Sequence, residues 1–147
     1  MSKSSSAFKE ALLVTLGGIV ILPLSFALYF FLFRMFERIV SLEGPYRFVS
    51  TLRVSYGVAW LIGVVLVYRT KWDDLIKAVF LTGALTSFLA AVGVQLWESP
   101  ALFRGIIVTM LIIVVILLRR RKSNWYHFYA AVLACAAAFL YALPGSA

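Results

Sequence analysis

Five long apolar runs with almost no charge inside them constrain this chain more than any other feature. A bilayer core about 30 Å thick needs roughly 20 apolar residues per helix, and most of the runs reach or approach that length. Apolar residues fill every phase of a segment such as 106–118, whereas the strands of an outer-membrane barrel alternate apolar and polar residues. In lipid such a segment satisfies its backbone groups as a helix. The five runs cover residues 11–33, 48–68, 76–96, 101–118 and 126–143.

The sequence therefore predicts an all-α integral membrane protein, with about five transmembrane helices in a compact bundle. We expect residues 1–147 to form a single polytopic membrane domain. The first run, of about 23 residues, exceeds the roughly 7–15 apolar residues of a signal peptide, so we expect it to be a retained span. Pro23 predicts a kink in this span over residues 19–23. Residues 34–43 have helical spacing and form either an extension of the span or a short interfacial helix.

The formal net charge of +8 would suggest a nucleic-acid ligand in a soluble protein. Here the basic residues gather beside the spans, as the positive-inside rule describes, and we expect no nucleic-acid partner. Of the 14 Lys and Arg residues, nine lie inside and five outside if the N-terminus is inside. This favours a cytoplasmic N-terminus and an external C-terminus. The inside set is Lys3, Lys9, Arg69, Lys71, Lys77, Arg119, Arg120, Arg121 and Lys122, and the outside set is Arg34, Arg38, Arg47, Arg53 and Arg104.

Small residues form rows at four-residue spacing in two of the runs. Helices in lipid gain little hydrophobic energy by meeting, so close packing through small residues favours their contact. The rows predict that the third and fifth spans are central, and they serve either internal packing or a subunit interface. The fourth span should face lipid or an equally apolar partner. The rows are Gly83, Ser87 and Ala91 in the third run, and Ala130, Ala134 and Ala138 in the fifth.

Two groups of basic residues are candidate binding sites. The consecutive residues Arg119, Arg120, Arg121 and Lys122 would attract anionic headgroups, each contributing about 1 kcal/mol near the surface. They anchor lipid or dock an acidic partner. Arg53 lies inside the start of the second run and is the nearest approach to an intramembrane charge. It either snorkels to the headgroups or forms an anion contact with Arg38 and Arg47.

The remaining polar residues of the runs give weaker signals. Thr86 and Gln95 could form hydrogen bonds across helices or line a narrow path. His127 and Cys135 are eight residues apart, about 12 Å along a helix, which is too far for a shared metal or a nucleophile–base pair. We interpret His127 as an interfacial residue, with a haem or quinone contact as the alternative. Asp73-Asp74 is interpreted as a helix cap rather than a Mg²⁺ site.

No metal site and no cofactor are indicated, and three functions stay open. The first is a small non-enzymatic accessory or structural subunit of a larger membrane complex, favoured by uncharged spans and an apolar fourth span. The second is a self-associating channel or transporter for a neutral or anionic solute, lined by the third and fifth spans. The third is a lipid-modifying enzyme that uses the three arginines for a phosphate and Asp73-Asp74 for a metal. Expected partners are anionic membrane lipids, and other membrane subunits or copies of the chain itself.

Overall fold

The computed structural model describes residues 2–38 and 45–141, and this part of the chain folds into five helices. Four of them are long and apolar enough to cross a membrane, while the fifth has 17 residues and is shorter. The prediction of an all-α fold is confirmed, and the chain is a multi-pass integral membrane protein. The helices are α1 (Ser2–Glu37), α2 (Pro45–Arg69), α3 (Asp74–Gln95), α4 (Pro100–Arg120) and α5 (Trp125–Tyr141).

Helix α1 is longer than the apolar run that predicted it. It has 36 residues, which corresponds to a length of about 54 Å at 1.5 Å per residue. The helix continues through Pro23. Residues 34–37 belong to α1, so this part of the segment extends the span, and residues 39–44 lie outside the described part of the chain. Residues 142 and 143, which were assigned to the fifth span, lie outside it as well.

Helix α3 is the centre of the bundle. It contacts all four other helices, and α4 packs mainly against α5. The residues that α3 buries are mostly small or aliphatic, which allows neighbouring helices to approach it from several sides. They are Ala78, Leu81, Thr82, Gly83, Ala84, Leu85, Leu89, Ala91 and Gly93.

Local side chains determine where several helices begin and end. The backbone N–H of Leu75 donates to Asp73 Oδ1 over 3.0 Å, so Asp73 caps α3 by satisfying one of its free amides. Ser99 is the N-cap residue of α4 and Pro100 is its first residue, although the Ser99 side chain makes no capping hydrogen bond. Proline suits this position because the first amide of a helix needs no partner within it. The short turn between α3 and α4 makes these successive helices antiparallel, although α4 packs mainly against α5.

Contacts between helices that are distant in the chain define one end of the bundle. Trp125 Nε1 donates to Glu10 Oε2 over 2.9 Å, and Arg121 Nη1 donates to the carbonyl of Tyr68 over 3.4 Å. The start of α1, the end of α2, the end of α4 and the start of α5 therefore lie together. We call this the basic end, because it holds residues 119–122. The C-terminal end of α3 lies at the opposite end.

Candidate functional site

The contacts of α1 change partner along its length. Its first half packs closely on α3: a Cβ atom placed on Gly17 would lie 2.5 Å from the Val79 side chain, so the absence of a side chain there permits the contact. Its second half contacts α2 through aromatic rings, with the centroids of Tyr29 and Tyr56 5.4 Å apart. Pro23 lies between the two halves.

A cavity of about 460 Å³ lies in the region where α1 passes from α3 to α2. We call it the three-helix cavity, since residues of α1, α2 and α3 line it. Its volume falls in the range of roughly 300–1,000 Å³ that is typical of small-molecule sites. Most of the lining surface is apolar, although six of the twelve lining residues carry a polar group, and these six come from all three helices. They are Ser25, Tyr29, Arg53, Tyr56, Thr86 and Ser87.

Three hydroxyl groups form a closed hydrogen-bond cluster in the wall of this cavity. Tyr56 Oη donates to the backbone carbonyl of Ser25 over 2.5 Å. Ser25 Oγ lies 3.0 Å from Tyr56 Oη and 2.8 Å from Ser87 Oγ. Since the Tyr56 proton is already used, both remaining bonds form only if Ser25 donates to Tyr56 and Ser87 donates to Ser25. The cluster therefore joins α1, α2 and α3 and uses all its own protons.

Thr86 differs from other threonines in the helices. The hydroxyls of Thr15, Thr82 and Thr109 each donate to the carbonyl four residues earlier, over 2.8, 3.1 and 2.8 Å. Thr86 Oγ1 is buried and has no hydrogen-bond partner among the described residues. A buried hydroxyl without a partner costs about 1–3 kcal/mol. Thr86 thus holds an unused donor proton within the cavity wall.

Arg53 is the charged residue of the cavity lining. It is half-buried, and it has no ion-pair partner in the part of the chain that the structure describes. It lies eight residues into α2, about 12 Å from the start of that helix. Arg38 is exposed just after the end of α1. The side chain of Arg47 lies outside the described part of the structure.

The small-residue row of α3 faces α1 and α2. Gly83 packs against the side chain of Ile21, and Ser87 belongs to the hydroxyl cluster. Ala91 lies against Gly57 of α2. Gln95, one turn further along α3, accepts a hydrogen bond from Ser50 of α2 over 2.9 Å.

The alanine row of α5 is buried in the bundle. Ala130 and Ala134 have no exposed surface and Ala138 is 3% exposed. Ala130 and Ala134 share a core cluster with Ala78 and Ala84 of α3. The described interface between α3 and α5 is therefore filled by small side chains, and the three-helix cavity lies away from it.

At the basic end, His127 is buried within the bundle. Only 2% of it is exposed, and its Nδ1 lies 2.6 Å from the hydroxyl oxygen of Tyr68. Nothing in the sequence linked these two residues, which are 59 positions apart. Cys135 is buried in α5. No group of three or more His, Cys, Asp or Glu residues that could hold a metal occurs among the described residues.

The residues proposed for a lipid-modifying enzyme lie far apart. Asp73 caps α3, and Asp74 pairs with Lys77 over 3.2 Å at the basic end. Arg53 shares its cavity with Val94, which lies 20 residues beyond Asp74 and so about 30 Å along α3. The structure does not bring the carboxylates and this arginine together.

The residues Arg119, Arg120, Arg121 and Lys122 are all exposed at the end of α4. The guanidinium of Arg121 lies 5.7 Å from the centroid of the Tyr68 ring. These two residues lie at one end of a groove of about 360 Å³ between α2 and α4, whose other lining side chains are all apolar. Arg121 of the basic run thus lies at the end of an apolar groove.

The outer face of α4 carries a row of small residues that the sequence analysis did not identify. Ala101, Gly105 and Thr109 are spaced by four residues and are all exposed. They line a shallow recess of about 390 Å³. A Cβ atom placed on Gly105 would meet no other atom within 4 Å. The row is visible in the sequence, but it begins five residues before the apolar segment 106–118.

No protein-family model, no curated protein and no solved structure matches this chain.

Proposed function

We propose that this chain is a small non-enzymatic subunit of a larger membrane protein complex, and that the outer face of α4 docks against a transmembrane helix of another subunit. The uncovered row Ala101, Gly105 and Thr109 carries the proposal. Rows of this kind allow two helix backbones to approach closely, and helices in lipid associate mainly through such packing.

Five other glycines of the bundle contact a neighbouring helix, and their contrast with Gly105 supports this interpretation. A Cβ atom on Gly17, Gly18, Gly57, Gly83 or Gly93 would lie within 3.3 Å of a side chain or backbone atom of a neighbouring helix. Within the described bundle, glycine therefore serves helix contacts at five positions. Gly105 and Gly63 have no such neighbour within 4 Å, and of these two Gly105 lines the recess on α4. A helix from another chain would supply the missing contact.

The surroundings of the row also suit a transmembrane helix. The exposed residues of α4 beyond it are aliphatic, among them Val108, which is 56% exposed, and Ile112, which is 53% exposed. Lipid tails are as apolar as these side chains, so apolarity alone does not select a protein partner over lipid. The recess at Gly105 adds a feature of shape, because a row of small residues allows the backbone of a partner helix to approach closely.

We further propose that the basic end faces the cytoplasm and contacts anionic lipids. Support comes from the collection of residues 119–122 beside the end of the apolar groove between α2 and α4. Such residues each contribute about 1 kcal/mol of attraction to an anionic surface. The basic excess at this end follows the positive-inside rule.

Purification from the native membrane in mild detergent, with mass spectrometry of the bound proteins, tests the subunit proposal. We expect foreign membrane subunits at fixed stoichiometry with the wild-type chain. Gly105→Leu should release them, because the new side chain fills the recess at a position where an added Cβ meets no atom of the chain within 4 Å. The matched control is Gly63→Leu on α2, where an added Cβ likewise meets nothing within 4 Å, and which should retain the partners.

Three outcomes would overturn the proposal. A wild-type chain that purifies alone has no such partner. A homo-oligomer that Gly105→Leu disperses would show that a second copy covers α4. Retention of foreign subunits by Gly105→Leu would show that the complex forms through another surface.

A further inference from the structure

We propose that the three-helix cavity binds an anionic amphiphile from the bilayer, with the carboxylate or phosphate head beside Arg53 and the apolar tail along α1 and α3. This site is separate from the outer face of α4, so it stands or falls independently of the subunit proposal. The proposal rests on a half-buried arginine in the wall of an otherwise largely apolar cavity of about 460 Å³.

The positive charge of Arg53 favours a ligand with a negatively charged head group. A negative partner stabilises an arginine that is taken partly out of water, and the planar guanidinium matches carboxylate and phosphate oxygens in a two-bond arrangement. The ion pairs of the described residues lie elsewhere: Arg34 pairs with Glu37, and Lys77 pairs with Asp74. Among the described residues, no carboxylate lines the cavity. A bound anion would supply the counter-charge for Arg53.

The wall of the three-helix cavity also offers hydrogen-bond donors, which favour an anionic head group. Protons of Ser25 and Tyr56 are used within the hydroxyl cluster, as shown above. Thr86 keeps an unused donor proton, and threonine in a helix has two accessible χ1 rotamers. Rotation of Thr86 would direct that proton into the cavity, where an anionic head group would accept it in a hydrogen bond. Ser87 can donate either to Ser25 or to a ligand oxygen.

The apolar part of the lining selects the body of the ligand. Leu22, Phe26, Ala90 and Val94 form most of the remaining wall, and Phe26 is 73% exposed on the outer surface of α1. The cavity thus adjoins the surface that faces lipid, and an amphiphile can enter from the bilayer. A free inorganic anion would gain the contact with Arg53 and leave the apolar wall unused.

A photoactivatable diazirine analogue of palmitate, added to the detergent-solubilised full chain, tests the proposal. We expect saturable labelling of peptides from α1, α2 and α3 that line the cavity. Arg53→Gln should weaken binding at least tenfold, and Arg53→Lys, which keeps the charge but loses the two-bond arrangement, should weaken it less than Arg53→Gln does. The corresponding diazirine alcohol, which lacks the charge, should bind the wild type and Arg53→Gln equally.

Control variants separate the cavity from general effects. Arg104→Gln removes an exposed arginine of α4 and should leave labelling unchanged. Ala90→Phe fills the cavity and should abolish labelling while the arginine remains. Each variant is compared by size-exclusion chromatography and thermal unfolding, so that a folding defect is seen directly.

Four results would refute the proposal. They are labelling that maps outside the cavity, equal binding by the wild type and Arg53→Gln, undiminished labelling of Ala90→Phe, and displacement of the probe by 10 mM inorganic phosphate. The last result would identify an anion from water, rather than an amphiphile from the bilayer, as the ligand.

Discussion

The hydrogen bond between Tyr68 and His127 should couple α2 to α5 measurably. Tyr68→Phe removes only the hydroxyl, because the phenyl ring preserves the 5.4 Å ring contact with His127 and the stacking of Arg121. His127→Leu removes the partner at similar volume. In either single variant one polar group loses its partner, and in the double variant neither group remains.

The structure sets the magnitude of this coupling. Hydrogen bonds between membrane helices average about 0.6 kcal/mol in double-mutant cycles, with a maximum of about 1.7 kcal/mol. The distance of 2.6 Å and the 2% exposure of His127 place this bond in the upper part of that range. We expect each single variant to lose about 1.5 kcal/mol, the double variant about 2 kcal/mol, and the coupling to be about 1 kcal/mol.

Equilibrium unfolding in dodecyl maltoside micelles titrated with sodium dodecyl sulfate measures these free energies. The four tryptophans of the chain, including Trp125 beside His127, supply the fluorescence signal. Additive losses, with a coupling below about 0.3 kcal/mol, would refute the reasoning, since independent sites add within that error.

Two further predictions concern the basic end. Asp73→Ala should lower the free energy of unfolding by about 1 kcal/mol through loss of the α3 cap. Asp74→Ala should lower it by less, because the surface ion pair of Asp74 is worth about 0–1 kcal/mol. The same titration compares the two variants, and a larger loss for Asp74→Ala would contradict the capping role of Asp73. With Ser4→Cys on a Cys135→Ala background, a membrane-impermeant maleimide should label inside-out vesicles and spare intact cells. Labelling of intact cells would reverse the proposed orientation.

Helix positions could be predicted from the sequence because each apolar run carries its own signal. The turn at Ser99-Pro100 and the cap at Asp73 could be predicted for the same reason, as both depend on residues that are neighbours in the chain. The full length of α1 could not be predicted, since its first nine residues are mostly polar and yet helical. Polar sequence outside the bilayer carries no hydropathy signal that distinguishes helix from loop.

The three-helix cavity could be predicted only in parts. Arg53 and Thr86 were identified as unusual residues, each within its own run. Their meeting at one cavity depends on how three helices rotate and cross, which periodicity does not determine when every face is apolar. The same reason applies to Tyr68 and His127: a tyrosine near the end of a span is common, and no pattern indicates its partner.

The length of α1 has a mechanical consequence. Its apolar part, residues 11–33, is about 35 Å long and fits a 30 Å core at a tilt of about 30°. Residues 2–10 then continue as a rigid rod about 14 Å beyond the bilayer. A change of tilt by about 10° around the bilayer centre would move the tip of that rod by about 5 Å. The displacement of a spectroscopic label at Ser4, which is exposed, would therefore report small changes in the tilt of α1 around the cavity, measured from the aqueous side.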